Sequence, residues 1–343
     1  LKKTTIKDVA KEAGISYATV SNVINNKGRM SDDTKKRVQR AIKKLNFFPD
    51  TTAAALSRGR TESVAFISSY LSSPFVTSVL SGAESRLYET GKLNNDIVHY
   101  ATKGTDALKT TVIEDILYGK KAGAVIVLTM TIKPKLVSEF KKRGIPLVLV
   151  ESRMKGVHSV RADNIQGAYD AVKHLIKSGR RKIAIITGPL RPSELDMDVS
   201  PAEIERLEGY KKALSEHGIS FRHDSIIQVP FYNMEEGMKC MQEMAKGRLK
   251  YDAVFCAAGD NVAYGIIEAG KQLGIKIPSD MAIAGYDDTE AARACRPSIT
   301  TVKQPLYEMG REAFDIAING MAGSNKGVVD KVLKSNLIIR ESA

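Results

Sequence analysis

TIKDVAKEAGISYATVSNVIN, Thr5 to Asn25, holds two short amphipathic segments on either side of a glycine. Thr5 can cap a helix with Asp8 three residues on, and Ile6, Val9, Ala10 and Ala13 then fall on one face at i, i+3, i+4 and i+7. Gly14 ends that helix where positive φ costs little, and Ser16 is placed to cap a second one whose Val20, Val23 and Ile24 turn inward. The opposite face of the second helix carries Tyr17, Ala18, Ser21, Asn22 and Asn25, side chains able to reach base edges and phosphates in a major groove. A third helix follows, capped by Ser31, with Asp32 and Asp33 at its positive end and Val38, Ala41, Ile42 and Leu45 at helical spacing. The spacing predicts a helix-turn-helix. A three-helix unit used only for packing would share the pattern, and charge separates the two.

Residues 1 to 60 contain 14 Lys and Arg against 5 Asp and Glu, a net of +9 in a chain whose total is +13. A basic headpiece on a nearly neutral body is the electrostatic footprint of a nucleic-acid contact, with DNA the expected polyanion. At 343 residues the chain can form a small domain and one or two larger ones with full cores. Three widely spaced cysteines, Cys240, Cys256 and Cys295, suit reduced thiols rather than a disulfide framework. No apolar run approaches the ~20 residues needed to cross a bilayer, and the basic start is not followed by a hydrophobic stretch. These features together predict a cytoplasmic protein.

Residues 46 to 60, NFFPDTTAAALSRGR, separate the headpiece from the first strong strand. Pro49 breaks the preceding helix, and a new turn through Ala53, Ala54, Ala55 and Leu56 before Gly59 is too short to stand alone. It is a candidate switch or an ordinary linker. From Ser63 onward short apolar strands alternate with amphipathic helices, the rhythm of a parallel α/β sheet. Strands are expected at Ser63 to Ile67, Asp96 to Tyr100, Ala124 to Leu128 and Pro146 to Val150, and in a second set at Lys182 to Thr187, Ile226 to Val229, Ala253 to Ala257 and Met281 to Gly285. Helices are expected at Phe75 to Thr90, Ile165 to Ser178, Ala202 to His217, Met234 to Lys246, Asn261 to Leu273 and Leu306 to Asn319.

Two such sheets in series leave a cleft, and open α/β sheets bind ligands at the carboxyl ends of their strands. The residues there are Ser68 and Ser69, Glu151, Gly188, Gly259 and Asp260, and Asp287 and Asp288. With Arg206 they would suit a polar, polyhydroxylated ligand, although each taken singly also serves as a cap or turn former.

The chain resembles the lactose-repressor (LacI/GalR) family of bacterial transcription regulators over essentially its whole length. The marks are T-I-K-D-V-A at Thr5 to Ala10, A-T-V-S at Ala18 to Ser21, V-I-N at Val23 to Asn25, D-N at Asp163 and Asn164, T-G-P at Thr187 to Pro189, G-Y-D-D at Gly285 to Asp288, T-T-V-x-Q-P at Thr300 to Pro305, and I-R-E-S around Arg340. The resemblance implies a mixed α/β chain: an all-α headpiece at 1–48, a hinge at 49–60, and at 61–343 a ligand-binding and dimerisation domain of two interleaved parallel-sheet lobes similar to periplasmic sugar-binding proteins. The expected lobes are about 61–161 plus 290–322, and 162–289 plus 323–343. Tyr17, Ala18 and Asn22 occupy the family's base-reading positions, and Thr5, Ser16, Thr19, Ser21, Asn25, Ser31 and Thr34 look like backbone contacts. Asn22 stands where some relatives carry Arg or His, so their operator sequences do not transfer. Ala53 and Leu56 match a hinge helix whose paired leucines wedge into the minor groove.

In the sensor, Phe75 resembles a ring-stacking residue, Arg206 a ligand-clamping arginine and Asp287 a hydroxyl-binding aspartate, with Ser69, Glu151 and Asp260 completing the expected effector site. Gly259 stands where sugar-binding relatives often place Asn, and Glu151 replaces a shorter Asp. The segment Leu190 to Glu205 is longer than usual and rich in acids: Glu194, Asp196, Asp198, Glu203 and Glu205. They either line the cleft or form a solvated insertion.

The expectation is a repressor-like regulator that binds a pseudo-palindromic operator as a homodimer under control of a small molecule, a sugar or sugar derivative, or alternatively a nucleobase or nucleoside. The chain ends at Ala343 without a heptad tail, which favours a dimer over a tetramer. No cofactor is expected. Against an enzyme stand the lack of a G-x-G-x-x-G after a strand, of a phosphate loop, of a nucleophile elbow and of a zinc-protease motif. The five histidines fit no metal spacing. A nucleoid-type binder without ligand control is the remaining rival.

Overall fold

The computed structural model describes residues 4–24, 29–47, 61–91, 96–191, 199–247 and 250–343. Contacts divide the chain into two units, 1–61 and 62–343. The first unit contains α1 (Ile6–Ala13), α2 (Tyr17–Ile24) and α3 (Asp32–Lys44). Thr5 and Asp8 form a reciprocal capping box at α1, so two amide donors that the helix cannot satisfy are both paired. Gly14 ends α1 at φ 61°, and the Arg37 guanidinium donates to the Ala13 and Gly14 carbonyls, fastening the turn to α3. Val9, Val20 and Val38, one from each helix, are fully buried with Ala10, Ala13, Ala41 and Phe47. This is a small core, and each methyl group in it matters.

The second unit is built on two six-stranded sheets. The first runs β11 (Asp330–Leu333), β5 (His158–Ala162), β4 (Leu147–Val150), β3 (Ala124–Leu128), β1 (Val64–Ser68), β2 (Ile97–Ala101), all parallel. The second runs β12 (Asn336–Ile338), β10 (Thr300–Lys303), β9 (Ala282–Asp287), β8 (Ala253–Cys256), β6 (Ile183–Thr187), β7 (Ile226–Gln228), parallel except for β12. Their central strands read VAFIS, AVIVL and IAIIT and are buried throughout, as strands covered by helices on both faces must be. Those helices are α4 (Pro74–Glu89), α5 (Asp106–Gly119), α6 (Pro134–Arg143) and α12 (Leu306–Met321) around the first sheet. Around the second are α7 (Asn164–Lys177), α8 (Pro201–Glu216), α9 (Met234–Lys246), α10 (Asp260–Gln272) and the short α11 (Glu290–Ala294). Each sheet has one apolar cluster on each face. Cys240, Cys256 and Cys295 are buried and unbridged. Among the described residues no helix is long and apolar enough to cross a membrane.

Chain crossings between the lobes differ from the expected ones. Of the segment 290–322, expected in the first lobe, α12 does pack on the first sheet, but Thr300–Lys303 pairs with β9, register Thr300↔Ala284, and extends the second. Of the segment 323–343, expected in the second lobe, β12 does pair with β10 there, but Asp330–Leu333 pairs with β5 in the first. The chain therefore crosses three times: at 162–164 after β5, near Gln304 after β10, and near Lys334 after β11. The reason is physical: β-branched runs announce a strand, but which sheet edge is open to it depends on pairing partners far away in sequence.

Candidate functional site

On the headpiece, the polar face of α2 is open. Tyr17 is 53% exposed, and Ser16 and Ala18 are exposed, while Thr19, Ser21 and Asn22 are half-buried. Ser16 accepts from the Thr19 amide at 3.1 Å, and the two hydroxyls are 2.8 Å apart. Ser31 and Thr34 repeat that arrangement at the start of α3. Two helix N-termini with hydroxyls already oriented are suited to phosphate contact, since their amides carry partial positive charge. Thr5 is engaged in its capping box. Asn25, Ala53 and Leu56 lie outside the described residues, as do Glu194, Asp196 and Asp198.

In the sensor, β1 lies between β2 and β3, and β6 between β7 and β8, so each sheet has a switch point where successive connections leave in opposite directions. Such points open a crevice at the carboxyl ends of the strands. A cavity of about 540 Å³ occupies that place, lined by Ser69, Gly104 and Thr129 after β1, β2 and β3, and by Pro189, Pro230, Ala258 and Asp287 at the ends of β6 to β9. The first turns of α4, α8 and α10 add Phe75, Glu203, Asp260 and Asn261, the second turn of α8 adds Arg206, and the segment before α9 adds Phe231, Tyr232 and Asn233.

Arg206 organises the buried polar groups. Its Nε donates to Asn164 Oδ1 at 3.1 Å, its Nη1 to the Ala257 carbonyl at 2.7 Å, and its plane lies 3.9 Å from the Tyr286 ring centre. Burial opposes its charge, but Tyr286, Glu203, Asp287 and Glu151 around it hold its pKa above the ordinary value. Glu203 is buried, accepting from the Thr187 hydroxyl and from the Gly188 amide at 3.1 Å. Burial raises its pKa against the pull of Arg206. Asp287, at φ 104°, accepts from Gln304 Nε2 at 2.6 Å and is also raised by burial. Asp260 accepts from the Thr301 hydroxyl and the Thr289 amide, and burial followed by the charge of Asp287 pushes its pKa up to about 8. The Tyr232 ring is 44% exposed, while its hydroxyl lies against Glu203 and is held well above the usual phenol pKa, burial being the main cause.

Five of the six expected effector residues, Ser69, Phe75, Arg206, Asp260 and Asp287, line this one cavity. Glu151 does not. Its carboxylate turns inward to accept from the Ala162 amide and from Asn164 Nδ2 at 2.7 Å, which makes it a brace at the first chain crossing. Asp288 also faces away, paired with Arg293 and Arg340. Ser68 is buried within β1 against His99. The acidic segment resolves in two ways: Glu203 lines the cavity from the first turn of α8, whereas Glu205 accepts from Arg161 and from Asn164 at the crossing. Gly259 holds φ 101°, and a Cβ there would stand 2.9 Å from Asp287 Oδ2, so an Asn at this position would be strained and would crowd the carboxylate. Sequence reasoning missed Tyr232 and Thr129, which carry no motif. Among the described residues no group of three or more His, Cys, Asp or Glu side chains could hold a metal ion.

Residues 5–50 match the bacterial regulatory proteins of the lacI family, and residues 172–343 match a periplasmic binding protein-like domain. The chain is 32% identical over 345 residues to the HTH-type transcriptional regulator DegA of Bacillus subtilis (strain 168), covering 99% of this chain and 98% of that protein. Its structure resembles that of the transcriptional regulator CelR in complex with cellobiose, with TM-score 0.72 and 29% identity over 99% of this chain and 100% of that one. It also resembles the lac repressor dimer bound to operator and the anti-inducer ONPF, with TM-score 0.85 and 23% identity over 99% of each chain, a likeness of fold. A capped helix-turn-helix, two crossing parallel-sheet lobes and a relative of this identity along the whole chain place the protein in the lacI family of bacterial regulatory proteins, as a DNA-binding transcription regulator.

Proposed function

We propose that the protein is an operator-binding repressor, acting as a two-fold dimer, whose DNA affinity is set by a polyhydroxylated small molecule held between the two sensor lobes. The observation that carries the effector half is the cavity at the carboxyl ends of both sheets, with Arg206, Glu203 and Asp287 around it. Directional hydrogen bonds from buried groups suit a sugar, and Phe75 offers an apolar face for the ring. The related regulator solved with cellobiose supports this reading. On the DNA side, Tyr17, Ala18 and Asn22 read bases, and Ser16, Thr19, Ser21, Asn25, Ser31 and Thr34 hold the backbone, with Thr5 at the edge of this set. The residues 49–60, with Ala53 and Leu56, form the hinge that joins the two functions. A ligand that fits one lobe angle better than another shifts the population toward it, and the DNA affinity follows by linkage.

Two measurements test this. Selection from a randomised duplex pool should return a pseudo-palindrome whose half-sites have one fixed spacing; binding of equal strength to every duplex, falling with salt alone, would sink sequence-specific readout. A thermal-shift screen of sugars, sugar derivatives and nucleosides on the full chain should find a class that raises Tm by mass action and changes operator affinity. A hit whose Tm shift survives Arg206→Lys unaltered would put the effector site elsewhere.

A further inference from the structure

Asn164, the first residue of α7, is 1% exposed and sits between the cleft and the first chain crossing. Its Oδ1 accepts from Arg206 Nε and from the Tyr286 hydroxyl, each at 3.1 Å. Its Nδ2 donates to Glu151 Oε2 at 2.7 Å and to Glu205 Oε2 at 3.2 Å, with the Ala162 carbonyl farther off at 3.5 Å. Both lone pairs and both protons of the amide are therefore used. The group has one orientation: turned over, it would set its NH2 against the Arg206 Nε–H and its oxygen against two carboxylates. One oxygen thus fixes the guanidinium together with the ring it rests on, since the Arg206 plane lies 3.9 Å from the Tyr286 ring centre. The Ala257 carbonyl takes Nη1, and Glu203 Oε1 is its ion-pair partner at 3.8 Å. Nη2 has no hydrogen bond among the described residues, so it is the nitrogen of this cavity-lining side chain left for a ligand.

The other end of Asn164 reaches out of the second lobe. Glu151 follows β4 in the first sheet, and its second oxygen accepts from the amide of Ala162, the last residue of β5. Arg161 of β5 reaches the opposite way, to Glu205 of α8 at 3.4 Å. Two hydrogen bonds through one amide thus separate the cavity's arginine from the segment joining the lobes. Capping does not account for this use of Asn164, because Asp163 caps α7 by accepting from the Gln166 amide at 3.0 Å. An arginine ordered before its ligand arrives gives up less freedom on binding, and a buried network with every member satisfied has a single arrangement.

We infer, on the reading that the effector lies in this cleft, that Asn164 is a positioning residue: it sets Arg206 for the effector and carries any shift of that guanidinium to the first crossing. It does not line the cavity and acts through the arginine.

The test uses the full chain with 15N-labelled arginine and reads the Arg206 Nε–H signal, assigned by its loss in Arg206→Lys. In the parent this proton should exchange slowly with water, and in Asn164→Ala the exchange should quicken at least tenfold. Glu151→Asp keeps the charge but withdraws the carboxylate from Asn164. It should quicken the exchange several-fold although Glu151 makes no hydrogen bond to Arg206, and it decides the matter should Asn164→Ala not fold. Fast exchange in the parent, or unchanged exchange in either folded variant, overturns the positioning role while leaving an effector cleft in place. Glucose, galactose, ribose, cellobiose and adenosine serve as probes of the cleft itself. A probe that shifts the Arg206 signal should bind Asn164→Ala at least tenfold more weakly than the parent. In the parent it should change amide exchange at 160–166 by threefold or more, a response that Glu151→Asp removes; a probe bound equally by parent and Asn164→Ala counts against the proposal. A panel in which no probe moves that signal or Tm overturns the cleft reading, and the proposal with it.

Discussion

The headpiece and the sensor cleft solve the problem of recognition in opposite ways. On α2 the recognising side chains are exposed, and the structure beneath them is three short helices around a handful of valines and alanines. In the cleft Arg206, Glu203 and Asp260 are buried and hydrogen-bonded to their own protein, and the cavity is assembled from the ends of seven strands. Exposed groups are screened by water and salt, so the headpiece needs many modest contacts and a partner dense in charge. Buried groups act at low dielectric, so a single arginine or glutamate decides what fits. The difference separates the expected effects of mutation: in the cleft, function and stability change together, and on the face of α2 they come apart.

Arg206→Ala is the most severe way to sharpen that contrast. It leaves the Ala257 carbonyl without the guanidinium donor, Asn164 Oδ1 with the Tyr286 hydroxyl alone, and the surrounding acids without their cation, at a cost of about 3–5 kcal/mol. Chemical denaturation of the second unit should show this loss together with a lost effector response; a variant as stable as the parent would break the idea that the cleft couples the two.

Val20→Ala removes two buried methyl groups from the small headpiece core and should cost about 2 kcal/mol. Operator binding should fall while the sensor's melting transition stays in place, which calorimetry on the full chain resolves as two separate transitions. Tyr17→Ala, at 53% exposure, should alter headpiece stability by no more than ~0.5 kcal/mol and yet weaken operator affinity about tenfold. Unchanged anisotropy titrations would remove Tyr17 from the reading face.

Asp260 gives a test by pH. Its folded-state pKa of about 8 lies far above the ordinary 3.8, so the native state holds a proton that the unfolded chain has released. Its contribution is complete below about pH 4 and is lost as pH rises toward 8, with a slope of at most about 1.4 kcal/mol per pH unit. Asp260→Asn should flatten that part of the stability profile relative to the parent, and coincident profiles would contradict a protonated Asp260. Thr5→Ala, which opens the capping box, should cost about 1 kcal/mol of headpiece stability, read from the same two-transition melt.

The same contrast explains what the sequence disclosed. The capping box at Thr5, the left-handed Gly14 and the apolar faces of α1 to α3 are matters of three- and four-residue spacing, and they hold in the structure as read. The strand rhythm from Ser63 is equally local. The helices α5, α6 and α11 and the strands β5, β10, β11 and β12 are not among the expected elements; the four strands read HSVRA, TTVK, DKVL and NLI, with only one or two large apolar residues apiece to announce them. The lobe boundaries went astray at β10 and β11 because partner choice is tertiary. Glu151 has the place of a cleft residue after β4, but at φ 55° its carboxylate is taken up by the Ala162 amide and Asn164 Nδ2, and no periodicity signals that. Glu203 stood in an acidic run that could as well have been solvated; its seat in the first turn of α8 beside Thr187 decides its role.

Three chain crossings join the lobes, after β5, β10 and β11. A body tied at one point can swivel in any direction, and one tied at two can still fold about the line between them in either sense. Each further short tether removes freedoms from the pair, so three crossings confine the lobes to few relative motions. Whatever chemistry fills the cleft can act on the rest of the chain only through that short list of motions, so ligands of quite different shape converge on similar displacements.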